Sequence, residues 1–289
     1  MTLSFRHTGI IAATLATLVL PTAAQDLHAF QDSSRLVSIG GSLTEIIYAL
    51  GEEDRLVARD QTALYPAAAA ALPDVGYMRR LAPEGVLSVG PTALLVVEGS
   101  GPPEALEVLV DAGVEYQTVP ESFSAEGILT KVRAVGQALD VTDKAEALAS
   151  ELDAALKAVQ ARTADLTDRK RVLFVLSVEG GKIQASGTDT AANGIIELAG
   201  ALNAVTEYPG YKALTEEAII AAAPDVILMM ERGEDHSAID ADLFGNPAIA
   251  LTPAGRDHAI IRLEGSYLLG FGPRAPQAVT DLVDALYGE

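Results

Sequence analysis

Apolar residues along the chain fall into two alternating patterns, and the alternation predicts an α/β protein. Compact β-branched runs read as buried strands: residues 35–40, Leu56-Val57-Ala58, 93–97, around Glu115–Val119, Arg171–Leu176 and 259–263. Between them apolar residues recur at helical spacing. Glu45–Leu50 forms such a stretch, capped by Ser42 or Thr44 and closed by Gly51. Leu106, Leu109 and Val110 mark a helix ending at Gly113, and Ile128, Val132, Val135 and Leu139 mark the next. Further helices are predicted at 190–199, before Gly200, and at 275–287. Residues 59–82 read as a loop, with prolines at 66 and 73 and a helix-prone alanine run at 67–71. Strand and helix in turn imply parallel strands.

One segment breaks the alternation. Residues 142–168 contain no Gly or Pro and place Leu148, Leu152, Ala155, Leu156 and Val159 on one stripe. The pattern predicts a single amphipathic helix roughly 40 Å long. It divides the chain into an N-terminal α/β lobe, 33–141, the linking helix, 142–168, and a C-terminal α/β lobe, 169–289.

The two halves also share a unit. Glu84, Pro91 and Glu98 are spaced as Glu217, Pro224 and Glu231 are, with six residues in each interval. Each copy reads as a short helix stopped by proline, then a buried strand with a charged residue at its end. Helix–proline–strand is common α/β grammar. Two copies, however, imply two similar lobes and a cleft between them where a small molecule binds.

The chain ends and composition narrow the setting. Arg6 and His7 precede an apolar run from Ile10 to Leu20, and Thr22 and Ala24 fit a cleavage site just before Gln25. Residues 1–24 therefore read as a secretory signal peptide, and the product as an exported protein. No other stretch reaches the ~18–20 apolar residues needed to span a bilayer. Cysteine is absent, which removes disulfides, thiolate catalysis, Cys-ligated metal and the lipidated cysteine of a membrane-tethered form. The expected product diffuses freely in the periplasm. Its formal net charge of −20 repels nucleic acid and anionic membranes.

Several motifs carry a family resemblance. Ser38-Ile39-Gly40-Gly41, Thr44-Glu45-Ile46, Arg59-Asp60 and Leu72-Pro73-Asp74-Val75-Gly76-Tyr77-Met78-Arg79 together resemble the periplasmic haem-binding proteins of bacterial haem-uptake ABC transporters. Pro102-Pro103, Gly210-Tyr211-Lys212 and Ala223-Pro224-Asp225 are similar too. Gly76-Tyr77-Met78-Arg79 is the most specific part; the others also suit the wider clan that carries cobalamin and siderophores. The resemblance implies the class III fold: two Rossmann-like lobes with parallel sheets, joined by one long helix. It implies a solute-binding protein, not an enzyme, that captures ferric haem and delivers it to an inner-membrane permease homodimer with its ATPase. An outer-membrane haem receptor system would act upstream. The alternative is a carrier of another iron chelate or cobalamin.

The resemblance also assigns residues. It makes Tyr77 the tyrosinate ligand of ferric haem, with Arg79 beside it. Phenolate oxygen is a hard anionic ligand suited to Fe(III), and the ferric charge and a nearby cation help a phenol of pKa ~10 to ionise. In an extended loop Arg79 would share a face with Tyr77. Tyr65 is the alternative phenolate. Arg59, Lys212 and Arg79 are candidate propionate partners, each equally readable as a surface cation. Tyr208 and Tyr211 are candidates to flank the porphyrin or to pack in the core. Some relatives offer a histidine where this chain carries Val178, so one haem without a second protein ligand from that place is expected. His28 and His236 read as solvated surface. Glu84 and Glu217 are placed like the clan's permease-docking glutamates, one per lobe.

The chain contains neither a Gly-x-Ser-x-Gly elbow nor a His-Glu-x-x-His pair. The histidines are scattered, against a divalent-metal carrier.

Overall fold

The computed structural model describes residues 27–231 and 237–288. The signal segment 1–24 and His236 lie outside the described residues. The first half follows the predicted order: β1 (Leu36–Ile39), α1 (Gly41–Ala49), β2 (Leu56–Arg59), α2 (Ala67–Ala70), α3 (Pro83–Leu87), β3 (Ala93–Val97), α4 (Pro103–Asp111), β4 (Glu115–Val119) and α5 (Ala125–Ala138). Its sheet is wholly parallel, in the order β2-β1-β3-β4. Every residue of β1 and β3 is buried, as strands covered on both faces require.

Helix α1 starts earlier than expected. It begins at Gly41, with Gly40 at its N-cap and no side-chain cap, so neither Ser42 nor Thr44 caps it. Close approach explains the two glycines. A Cβ on Gly40, whose φ is +117°, would lie 2.7 Å from Val97 Cγ1, and one on Gly41 would lie 2.7 Å from the Thr62 carbonyl oxygen.

Helix α6 (Thr142–Thr163) begins where predicted and stops five residues short of 168. At 22 residues it is about 33 Å long. The segment Ala164–Asp168 supplies Thr and Asp, which favour turns over helix interiors. Buried Ala145, Ala149, Leu152, Leu156 and Val159 form its inner stripe.

The second half comprises β5 (Arg171–Glu179), β6 (Lys182–Ser186), α7 (Ala191–Leu198), β7 (Leu202–Asn203), β8 (Tyr211–Ala213), α8 (Glu216–Ala222), β9 (Val226–Glu231), α9 (Ser237–Phe244), α10 (Pro247–Ala250), α11 (Pro253–Asp257), β10 (Ile260–Glu264), α12 (Gly265–Leu269) and α13 (Ala275–Tyr287). Its sheet, in the order β10-β9-β5-β6-β8, is mixed and not purely parallel. Strands β10, β9, β5 and β7 run parallel, while β6 is antiparallel to both β5 and β8. The cause is local. Gly180 and Gly181 have φ of +56° and +77°, the conformation of a tight hairpin turn, which folds β6 straight back on β5.

The repeat is real in three dimensions. Gly90 and Ala223 both adopt positive φ, +58° and +41°, immediately before Pro91 and Pro224. Arg35 Nε donates to the Gly90 carbonyl at 2.7 Å, and Arg171 Nε donates to the Ala222 carbonyl at 2.9 Å. Thr92 Oγ1 accepts from the Arg35 amide as Asp225 Oδ2 accepts from the Arg171 amide. Each clamp aligns the central strands β1 with β3, and β5 with β9. The Ala-Pro-Asp motif is thus a strand-register device.

Candidate functional site

The loop after β2 is organised by one buried carboxylate. Asp60 Oδ1 accepts from the Gly40 amide at 3.0 Å and Oδ2 from the Thr62 amide at 3.1 Å, and the Thr62 hydroxyl lies 2.9 Å from both oxygens. Thr62 Oγ1 in turn accepts from the Gly41 amide. Asp60 is fully buried, and burial pushes its carboxyl above the ordinary range against the pull of these donors and of the Met78 amide. Asp60 therefore ties the start of α1 to the loop that follows β2. The Gln61 amide donates to the Gly76 carbonyl at 2.8 Å, and the Gly101 amide to the Met78 carbonyl at 2.8 Å.

Tyr77 and Arg79 lie in a tight turn, closed by the Arg80 amide donating to the Tyr77 carbonyl at 2.8 Å. This replaces the extended stretch expected. The turn follows from Met78, whose side chain packs against the core clusters and pulls the chain inward. Tyr77 is partly buried and Arg79 is exposed.

Arg59 is not a surface cation. It is 8% exposed, its Nη1 lies 2.9 Å from Asp74 Oδ2, and it donates to the carbonyls of Asp60 and Ala70. Its guanidinium braces the 66–76 loop from within the lobe.

From the second lobe, Tyr211 offers its ring and holds its oxygen back. Burial raises the pKa of its phenol, against the opposing pull of Thr190, the Ala192 amide at the start of α7, the charge of Arg79 and Ser186. The Tyr211 ring is 37% exposed and meets Phe174 edge-on at 6.3 Å. Lys212 is exposed, with its ammonium 4.9 Å from the Tyr208 ring centroid. Tyr208 packs against the second-lobe core and donates to the Ala185 carbonyl.

A network across the lobes leaves almost no local signal in the sequence. Arg274 reaches from the second lobe to Glu45 of α1, and its guanidinium lies 3.9 Å from the ring centroid of Tyr65. Lys131, fully buried in α5, has its Nζ 2.6 Å from Glu121 Oε1, 3.3 Å from Ser42 Oγ and 3.2 Å from the Phe271 carbonyl of the second lobe. Phe123 and Phe271 pack edge to face at 5.3 Å beside it. The only available hint was a lysine at a helix position whose neighbours are apolar.

Glu84 and Glu217 are exposed in the first turns of α3 and α8. His28 contacts Glu115, and His258 lies against Phe244. Among the described residues no group of three or more His, Cys, Asp or Glu is placed to hold a metal ion.

The arrangement is a pair of lobes with an anchored tyrosine loop on one and an aromatic pair on the other. Proteins of known structure share the fold. The chain is 41% identical to the periplasmic heme-binding protein BhuT, solved in complex with two hemes, with a TM-score of 0.83 over 87% of this chain and 97% of that one. It is 38% identical to the periplasmic heme-binding protein RhuT from Roseiflexus sp. RS-1, also at 0.83, over 89% and 99%. An uncharacterized ABC transporter substrate-binding lipoprotein of Bacillus subtilis (strain 168), YvrC, is 26% identical over 91% of this chain and 83% of its own length. A family profile described as periplasmic binding protein matches residues 36–267, and the chain belongs to that family.

Proposed function

We propose that this protein captures ferric haem between its lobes and hands it to an inner-membrane ABC importer, performing no chemistry on it. The observation that carries this reading is the 41% identity to a haem-binding protein over almost that protein's whole length. Gly76-Tyr77-Met78-Arg79 adds to it, because it offers a phenol and a cation on an anchored turn. Tyr77 is the iron ligand: a phenolate is hard and anionic, and the ferric charge favours its ionisation. Arg79 adds a second positive charge close by.

Haem propionates are met by Arg79 and Lys212, the exposed cations among the three expected. The Tyr211 ring lines the porphyrin from the second lobe. With Val178 at the position where a second ligand could arise, the iron is five-coordinate or carries a weak sixth ligand. The lobes divide at residues 33–141 and 169–289, with the helix between them. Glu84 and Glu217 dock on arginines of the two permease subunits, one carboxylate per lobe meeting a twofold partner. The protein works in the periplasm after cleavage before Gln25, and the chain contains no cysteine to carry a lipid.

Titration of the purified protein with hemin tests the reading. A Soret band and phenolate-to-iron charge-transfer bands are expected, and Tyr77→Phe should lose the latter. Absence of hemin binding, or tight binding of cobalamin in its place, would falsify it.

A further inference from the structure

Tyr65 sits at the lobe boundary and is 47% exposed, a large aromatic ring left open to solvent. Arg274 covers one face of that ring. The guanidinium carbon lies 3.9 Å from the ring centroid, so the cation is centred on the π face and not on the hydroxyl. Arg274 is itself held on several sides. Its Nε and Nη2 donate to Glu45 Oε2 and Oε1 at 2.9 and 2.6 Å, Nη2 also lies 3.3 Å from Ser266 Oγ, and the Tyr267 ring stands 5.2 Å away. Glu45 is 6% exposed, so the pair cannot swing freely into water. A planar cation fixed by a bidentate carboxylate thus pins an aromatic ring at the boundary between the lobes.

We infer that Tyr65 is a stacking wall for a flat π ligand and not an iron ligand, and that Arg274, held by Glu45, is the positioning residue that presents it. The inference rests on the haem-carrier reading. Stacking on a fixed ring favours an extended planar macrocycle; a puckered corrin or a globular siderophore complex gains little from it. The wall also acts without metal, which separates its contribution from that of Tyr77.

The test compares hemin with iron-free protoporphyrin IX, titrated by absorbance into the full-length parent, Tyr65→Ala, Tyr65→Phe and the Glu45→Gln/Arg274→Gln pair. Tyr65→Ala should weaken both ligands about five- to tenfold, the size of one aromatic stack. The charge-transfer bands of hemin should remain, and Tyr65→Phe should restore both affinities. The Gln/Gln pair should weaken iron-free protoporphyrin as Tyr65→Ala does, and adding Tyr65→Ala to it should cost nothing more. If Tyr65→Phe loses hemin while keeping iron-free protoporphyrin, the phenol is an iron ligand and the inference fails. It also fails if Tyr65→Ala binds iron-free protoporphyrin like the parent. A parent protein that binds no hemin removes the carrier reading itself, a distinguishable outcome.

Discussion

Arg274 and Glu45, 229 residues apart in the chain, are joined by two hydrogen bonds of 2.9 and 2.6 Å across the boundary between the lobes. Burial raises the Glu45 carboxyl pKa, and Arg274 pulls it back toward the charged form. Removing the arginine leaves a desolvated carboxylate without its hydrogen-bonded counter-charge, with the more distant ammonium of Lys131 acting on it. Arg274→Ala should therefore cost about 3–5 kcal/mol of folding stability, and Glu45→Gln/Arg274→Gln clearly less, because neither partner is then a buried charge. Urea unfolding of the three proteins measures this; equal midpoints for Arg274→Ala and the parent would contradict it.

Arg79 should strengthen haem binding through its charge. It is the exposed cation two residues after Tyr77, free to meet a propionate carboxylate. Arg79→Gln should weaken hemin binding by about tenfold, as for loss of one charge-assisted contact, while Arg79→Lys keeps most of the affinity. The check is a hemin titration of the three proteins at fixed pH, and equal affinity in Arg79→Gln and the parent would refute a role for the Arg79 charge.

Stability should rise on mild acidification from neutrality. Asp60 and Glu45 have carboxyl pKa values raised by burial, so the folded state binds protons more readily than the unfolded chain. Stability then falls as pH climbs from about 4, the ordinary carboxyl range, through the elevated folded values, and is recovered on the way down. Relief of self-repulsion at a net charge of −20 acts in the same direction. The buried ammonium of Lys131, whose pKa desolvation depresses, acts the other way, so the comparison isolates the carboxyl: between pH 8 and about pH 5 the parent should gain more melting temperature on acidification than Asp60→Asn does. Parallel profiles in the two proteins would exclude this account.

Delivery should separate from capture. Glu84→Ala with Glu217→Ala leaves the lobe boundary untouched, since both side chains are exposed on α3 and α8. Hemin affinity should stay at the parental value while uptake into vesicles bearing the permease drops by about tenfold or more, as for loss of two interface charge pairs. Full uptake by the double variant would rule out docking through these carboxylates.

Much of the architecture is legible in local pattern. Strands β3 and β4 and helices α5, α6 and α13 follow from short-range periodicity, proline stops and glycine ends. The repeated Glu–Pro–Glu spacing also survives as structure, because the positive φ before each proline and the arginine clamp on each first strand are set within one unit. The hairpin at Gly180-Gly181 was equally local, and reading the alternation as purely parallel passed over its turn signal. Arg59 shows the opposite limit. Charge alone marks it as surface, and only the packing of the 66–76 loop over it makes it a buried brace.

By itself, then, the sequence determined the two α/β halves, the helix between them, the Tyr77 motif and the absence of cysteine chemistry, all of which reside in contiguous residues. The tertiary structure alone decided how the halves meet: Glu45 with Arg274, Lys131 with the Phe271 carbonyl, and Tyr65 beneath a guanidinium. The physical reason is that such contacts depend on desolvation and geometry between residues far apart in the chain, and neither leaves a periodic trace in it.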